Sequence, residues 1–489
     1  MMMQRETHVK AILSEVIPPL VNEFPKRIKQ VLVLLLMGGA MSTGVWSQGA
    51  KGIAFKEERA KEDYGNLKDS TQRKGLEIIK YIPILPKKNI YFSIGGSYRA
   101  RMEHFSNRFW FPDDLTYYAQ RLSFHTDLYL GKYVRFFGEF YHGLKTGPEE
   151  FPQSDLVDWH QGFVEVKFPV NKKNQLTFTF GRQEMKLGAG RLVDLRVGPN
   201  MRRSFDLGKA SFQNQYGSLK LFYGHEVNLG FDAFDNAFSL FDAAAPNARL
   251  GGAYSQFSLP GEKGGTDLYY LYFGSDNAAF NDVLGSETRH STGIRRWGKV
   301  GNRFSYNTEF IYQFGQLGSN QIRAFNLETD YRYAFVKIKW RPTPGLKFDW
   351  STGDRAGGDG ILNSFNPMFV NPAIYSLAGV NTPVNLLSIH PSLLLFPSRK
   401  IMLNLEFASF FRASREDGLY IPVSLLFRNA DGLQERHIGN VVGLFAKYTH
   451  NRHLSFDIRS SYFTTGNFVD RSGSSLPIFH IATTGNFLF

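Results

Sequence analysis

From Ile90 to the end of the chain, apolar and polar residues alternate with a period of two. No other feature constrains the fold as strongly. In IYFSIGGSYRARMEHF (90–105), Phe92, Ile94, Tyr98 and Met102 share one face, and Ser93, Ser97, Arg99, Arg101 and Glu103 share the other. The pattern recurs. Leu122, Phe124, Leu128 and Leu130 oppose Arg121, Ser123, His125 and Asp127; Val134, Phe136 and Phe140 oppose Arg135 and Glu139; Leu454, Phe456, Ile458 and Tyr462 oppose Asp457 and Arg459. Strands with one apolar face build either a soluble sandwich or a membrane barrel. Here the apolar face is sustained over many strands, and no segment reads as a covering helix. An open sheet edge in hydrocarbon leaves backbone groups unpaired at several kcal/mol each, so a membrane sheet must close. The expectation is all-β: a transmembrane antiparallel up-and-down barrel of about 18 strands, with 16 as the alternative.

The connections support this. Short ones (131–133, 169–174, 341–345, 396–400, 449–453) alternate with long ones near 106–116, 143–157, 184–207, 225–250, 276–288, 354–383, 411–434 and 464–475. Short turns on one side and long loops on the other are the habit of bacterial outer-membrane barrels. Phe487 and Phe489 lie on one face of the last strand, a layout similar to the signal read by barrel-assembly machinery. Aromatics make up 15% of the 489 residues, yet mean hydropathy is only −0.27, which fits strands that are half apolar and does not fit a helical membrane protein. There are no cysteines, which excludes disulfides and thiolate metal sites.

Lys26, Arg27 and Lys29 precede the short apolar run Val31–Met37 and a stretch of small residues. This reads as a secretory signal over 1–47, cut near Ser47. Residues 48–89 are polar and read as a periplasmic lead-in, with the barrel over 90–489.

If Arg99 and Arg101 faced lipid, each would cost roughly 2–4 kcal/mol at the midplane, so they are assigned to the lumen. By alternation the lumen receives Arg99, Arg101, Arg121, Arg135, Lys167, Lys220, Lys337, Lys339, Lys347, Lys447 and Arg459. Its acids are Glu103, Asp127, Glu139, Glu165, Asp267, Glu309, Asp349, Glu406 and Asp457. That is a nearly balanced charge ladder. The net charge of +13 is carried more by loops, above all by 181–205, which holds Arg182, Lys186, Arg191, Arg196, Arg202 and Arg203. Folded into the pore, this segment would narrow it with guanidinium forks suited to carboxylates. On the surface it would instead meet anionic outer-leaflet lipid.

The blocks GGSYRARMEHF, RLSFHTDLYLGKYVRFFGEF, GRQEMKLGAGRLVDLRVGPNMRRSFD, IYQFGQ and DWSTGDRAGGDGILNSFNPMF resemble the alginate export family of outer-membrane barrels. The resemblance runs from about residue 90 to the end. It implies an 18-stranded channel of the Gram-negative outer membrane with an arginine-rich constriction, passing an anionic polyuronate or another anionic saccharide. On that basis Arg99, Arg101, Arg121, Arg135, Arg182, Arg191 and Arg203 are candidate pore-lining or substrate-binding residues, with Asp354 an acidic partner that orients them; Arg202 of the basic segment and Arg459 of the inward row join them as candidates. The alternative is a general or small-anion diffusion porin. Expected partners are the anionic polysaccharide or small anionic solutes, outer-membrane lipid, the barrel-assembly machinery and a periplasmic delivery protein. No cofactor and no metal is expected, and nucleic acid is not, since no basic arm or nucleic-acid motif occurs. Ser123, His125 and Asp127 are close in sequence but are ordinary neighbours on a strand, and the loop carrying Asp354 and Asp359 lacks further acids at Ca²⁺-site spacing. The chain is not expected to be an enzyme.

Overall fold

The computed structural model describes residues 55–147, 153–239 and 248–489, apart from positions 372, 374 and 377. The expected signal segment, 1–47, lies outside the described residues.

Eighteen long strands form the wall. They are β1 (Ile90–Ser106), β2 (Leu115–Leu130), β3 (Val134–Lys145), β4 (Asp155–Pro169), β5 (Gln175–Gln183), β6 (Phe205–Gln213), β7 (Gly217–Glu226), β8 (Arg249–Phe257) and β9 (Gly264–Phe280). They continue as β10 (Val283–Val300), β11 (Phe304–Leu317), β12 (Asn320–Tyr333), β13 (Thr343–Ser351), β14 (Leu386–Ser398), β15 (Ile401–Arg412), β16 (His437–Thr449), β17 (Leu454–Thr465) and β18 (Ile478–Leu488). Each pairs antiparallel with the next, and β18 returns to β1 from Ser97↔Leu488 to Ser106↔Phe479, so the sheet closes. No helix among the described residues is long and apolar enough to cross a membrane; the crossing is made by strands.

The alternation sorts as expected. Tyr98, Met102, Leu122, Phe124, Phe136, Phe168, Phe456 and Tyr462 are exposed on the outer face, while Ser93, Arg99, Arg101, Glu103, Arg121 and Asp127 are buried inside. Exposed aromatics gather toward the short-turn rim at Tyr133, Phe168, Tyr216 and Trp340, the place of an interfacial aromatic girdle.

Two segments depart from the expectation. Residues 276–288 are no long loop: β9 and β10 meet at a turn of Asn281 and Asp282. Asn281 adopts a φ of 51°, a left-handed conformation that asparagine tolerates and a tight hairpin needs. This brings Glu287 and Arg289 into the inward row, where both are buried. Conversely, Lys337 and Lys339 leave the lumen, because the chain turns between Tyr333 and Thr343 and both lysines are exposed there.

The interior is not an open tube. Segment 184–204 folds inward and meets segment 352–385, with Asp194 donating to the Phe369 carbonyl at 3.1 Å and Phe369 donating to that of Leu192 at 2.9 Å. Leu192, Val193, Phe365 and Phe369 pack there on inward-facing Leu207, Leu271, Phe273 and Ile311. A second cluster around Trp110, Phe410, Phe463 and Phe468 caps the long-loop end. At the other mouth, residues 55–89 form short 3₁₀ turns and one strand, Ile82–Leu85, paired with β1. Tyr64, Leu67 and Tyr81 are buried there with inward-facing Tyr91.

Candidate functional site

Three of the candidate arginines sit side by side. Arg99 on β1 is directly opposite Arg121 on β2, and Arg101 follows one step along the same face. Their partners are main-chain oxygens of the in-folded segment. Arg99 donates to the carbonyls of Val197 (2.8 Å), Gly198 (3.2 Å) and Pro199 (2.8 Å) and to Asn200 Oδ1 (3.2 Å). Arg101 donates to the Gly198 carbonyl at 2.8 Å and Arg121 to that of Asn200 at 3.0 Å. Among the described residues, neither Arg99 nor Arg121 has a carboxylate within ion-pair distance, and the nearest to Arg101 is Glu103 at 3.6 Å. Carbonyls satisfy the donors but leave the charge uncompensated, so this corner holds an excess of positive charge.

The other candidates are paired with acids. Arg135 grips Asp127 at 2.7 and 2.8 Å and also reaches the Ala60 carbonyl at 2.7 Å. Arg182 holds Asp206 at 2.8 and 3.0 Å. Arg191, in the in-folded segment, pairs with Glu328 of β12. Arg202 meets Glu184 at 2.7 Å, Arg203 meets Glu226 at 2.7 Å, and Arg459 meets Asp457 at 3.2 Å. Asp354 faces amides rather than guanidiniums: Asn281 Nδ2 donates at 3.1 Å and the Asn363 main-chain N–H at 3.1 Å. It therefore orders the loops, beside Asp417, and orients none of the candidate arginines. Burial pushes Asp417 up to about 6.

Above the arginine corner, toward the long loops, lies a cavity of about 340 Å³. Arg101, Arg108, Arg196, Arg203 and Arg459 line it, against Glu103 and Glu226. Arg196 stands out. Its backbone adopts a φ of 56° and its N–H donates to Asp194 Oδ1 at 3.0 Å, while its guanidinium has no hydrogen-bond or ion-pair partner among the described residues. Burial, then the charge of Arg203, pushes it down to about 10, which leaves it charged at neutral pH. The sequence placed Arg196 in the basic segment, but nothing there distinguished it from paired neighbours.

One cluster has the ligand types for a metal: Glu139, His160 and Glu184. It does not fit one. Arg202 occupies both oxygens of Glu184 at 2.7 and 2.8 Å, and His160 Nε2 adds 2.8 Å to the first, so a cation already neutralises the carboxylate a metal would need. The cluster ties the root of the in-folded segment to the wall. Nor do Ser123, His125 and Asp127 form a catalytic set: Ser123 bonds Ser97 at 2.8 Å, and Asp127 is held by Arg135.

Comparison with known proteins agrees with the barrel. The chain is similar in fold to a BenF-like porin from Pseudomonas fluorescens Pf-5 (TM-score 0.53, 11% identity, 81% of this chain and 98% of that one). It is also similar to OccK8 (OprE) of Pseudomonas aeruginosa (0.52, 11%, 81% and 98%) and to OpdO of the same organism (0.51, 10%, 81% and 97%). At such identities these likenesses speak for the fold alone. No curated relative matches the sequence. The family model described as alginate export matches residues 90–477, and the fold and family are those of outer-membrane transport channels rather than of enzymes. With most of its length matched, the chain belongs to the alginate export family.

Proposed function

We propose that this protein passes an anionic polysaccharide or oligosaccharide of the polyuronate kind across the outer membrane, using the arginine-lined vestibule as its selective element. The observation that carries the reading is Arg196, a charged and unpartnered guanidinium on a cavity where five arginines face two glutamates. A guanidinium fork matches a carboxylate in charge and shape, and a low-dielectric surround strengthens the attraction. The uncompensated Arg99–Arg121 pair adds a positive field below it. Such a field raises the local concentration of polyanion and excludes cations.

A second reading, a small-anion porin without polysaccharide specificity, is favoured by one observation. Of the ten residues singled out in the sequence, six arginines already have a carboxylate partner within 3.2 Å or closer. Block of ion current decides between the two. A polyuronate channel is blocked by oligouronates and not by a neutral oligosaccharide of the same length. A small-anion porin is blocked by neither, and that result would reject the polyuronate reading.

A further inference from the structure

We propose that residues 55–63 are a displaceable inner gate: a built-in anionic strand of chain that occupies lumenal cations until an anionic polymer competes for them. The idea rests on the anion-channel reading above.

The lead-in has two mechanically different parts. Residues 64–81 are anchored. Tyr81 stacks on Tyr91 at 4.3 Å and Tyr91 on Tyr129 at 4.5 Å, Leu67 is buried with them, and Glu77 pairs with Arg452 of the 450–453 turn at 2.6 Å. Apolar and aromatic burial of this kind is not weakened by salt or by a competing anion.

Residues 55–63, FKEERAKED, are held differently. The Glu57 carboxylate meets Lys186 Nζ at 3.0 Å, and the Glu57 carbonyl accepts both terminal nitrogens of Arg202 at 3.0 Å. The Ala60 carbonyl accepts from Arg135 at 2.7 Å. Arg59 pairs with Glu62 within the segment at 2.9 Å and donates to the Phe489 main-chain oxygen at 3.0 Å. Glu57 is half exposed and Lys56 is exposed. Oxygen-to-cation contacts therefore hold this stretch, with little apolar burial. Of these, the Glu57–Lys186 pair is half exposed, so it is weak and screened by ions, while the Arg59–Glu62 pair is buried within the segment itself and does not tie it to the wall.

The cations it uses matter. Lys186 and Arg202 belong to the same in-folded segment that Arg99, Arg101 and Arg121 clamp. Residues 55–63 thus present carboxylate and carbonyl oxygens where a polyuronate would present the same groups. A polyanion reaching Lys186, which Asp194 shares at 3.2 Å, would take over the contact of the Glu57 carboxylate, while the aromatic anchor keeps the released segment tethered at the mouth.

The test is single-channel recording of the full chain with no polysaccharide present, so that the first outcome does not depend on what the channel carries. Glu57→Gln combined with Glu58→Gln should raise the open fraction about twofold to fivefold, the effect of losing a partly exposed pair. A second variant, Glu57→Cys with Lys186→Cys, adds the only two thiols in a cysteine-free chain. Bridging them with a short reducible bis-thiosulfonate should abolish openings, and reduction should restore them. Oligouronate added at the short-turn side should increase openings of the unmodified chain and not of the bridged one. An open fraction unchanged by the glutamine pair, or full-sized currents through the bridged protein, would overturn the gate. If both gate variants behave as expected and oligouronate has no effect, the gate stands and the polyuronate reading fails.

Discussion

Replacing Arg99 by alanine separates two roles that the guanidinium could have. If it is a clamp, its loss frees the in-folded segment; if it is a contact for the passing anion, its loss changes selectivity alone. The structure favours the clamp, with four acceptors between Val197 and Asn200 at 2.8–3.2 Å. A hydrogen bond to a charged group contributes about 1.5–3 kcal/mol net. The four share one side chain and are not additive, and no counter-charge is left bare, so the loss should be about 1.5–3 kcal/mol. At 1.4 kcal/mol per factor of ten, local opening of residues 196–203 should rise at least about tenfold. Hydrogen exchange on peptides covering 196–203, in detergent or nanodiscs, reads this directly. The Asn200 and Arg203 amides, bonded to Gln153 Oε1 at 3.2 Å and the Leu195 carbonyl at 3.1 Å, are the reporters. Single-channel conductance should rise in parallel as the segment leaves the lumen. Arg99→Lys should fall near the alanine variant, because an ammonium keeps the charge but lacks the planar fork that spans several carbonyls. Unchanged exchange together with reduced anion selectivity would refute the clamp and make Arg99 a pore contact.

Three further outcomes follow from the same structure. Arg196→Gln should move the anion-to-cation permeability ratio toward unity while leaving heat-modifiable mobility on gels unchanged, since that guanidinium bonds nothing among the described residues. Glu328→Gln should lower the temperature of barrel unfolding on such gels, because Arg191 would be left buried without its anion at a cost of about 3–5 kcal/mol. Lys80 gives a pH dependence. Burial, then the charge of Arg59, pushes it down to about 7 from an ordinary 10.5; release of residues 55–63 takes Arg59 away while Lys80 stays anchored, so the docked gate binds fewer protons than the released one above about 7. Docking of residues 55–63 should strengthen as pH rises above about 7 and show no dependence on this group well below 7. The open fraction at pH 9.5 should be lower than at 7.5, and Lys80→Met should remove the difference.

The wall of this protein was legible because a strand's alternation reports which solvent each face meets, as Tyr98 and Arg99 show. The turn at Asn281 was not: strands β9 and β10 are 17 and 18 residues long and run about 55 Å, beyond the hydrocarbon, where neither face need be apolar. The interior was less legible still. Inward Leu271 and Ile311 break the polar-inside rule because in-folded loops, not water, cover them. The roles of the arginines depend on acceptors that no sequence displays. Arg99 and Arg121 are bonded to main-chain carbonyls, which every residue has, and only the path of segment 184–204 decides which carbonyls arrive. Arg196 differs from Arg203 by what it fails to touch. The family resemblance located the basic segment but could not rank its members.

The proposed channel selects anions through an excess of positive charge in its lumen. Reversal potential across a planar bilayer in a tenfold KCl gradient tests it most directly. The potential should take the sign that marks chloride as the more permeant ion and should shrink in Arg196→Gln. A potential at zero, or one marking potassium as the more permeant ion, would contradict it.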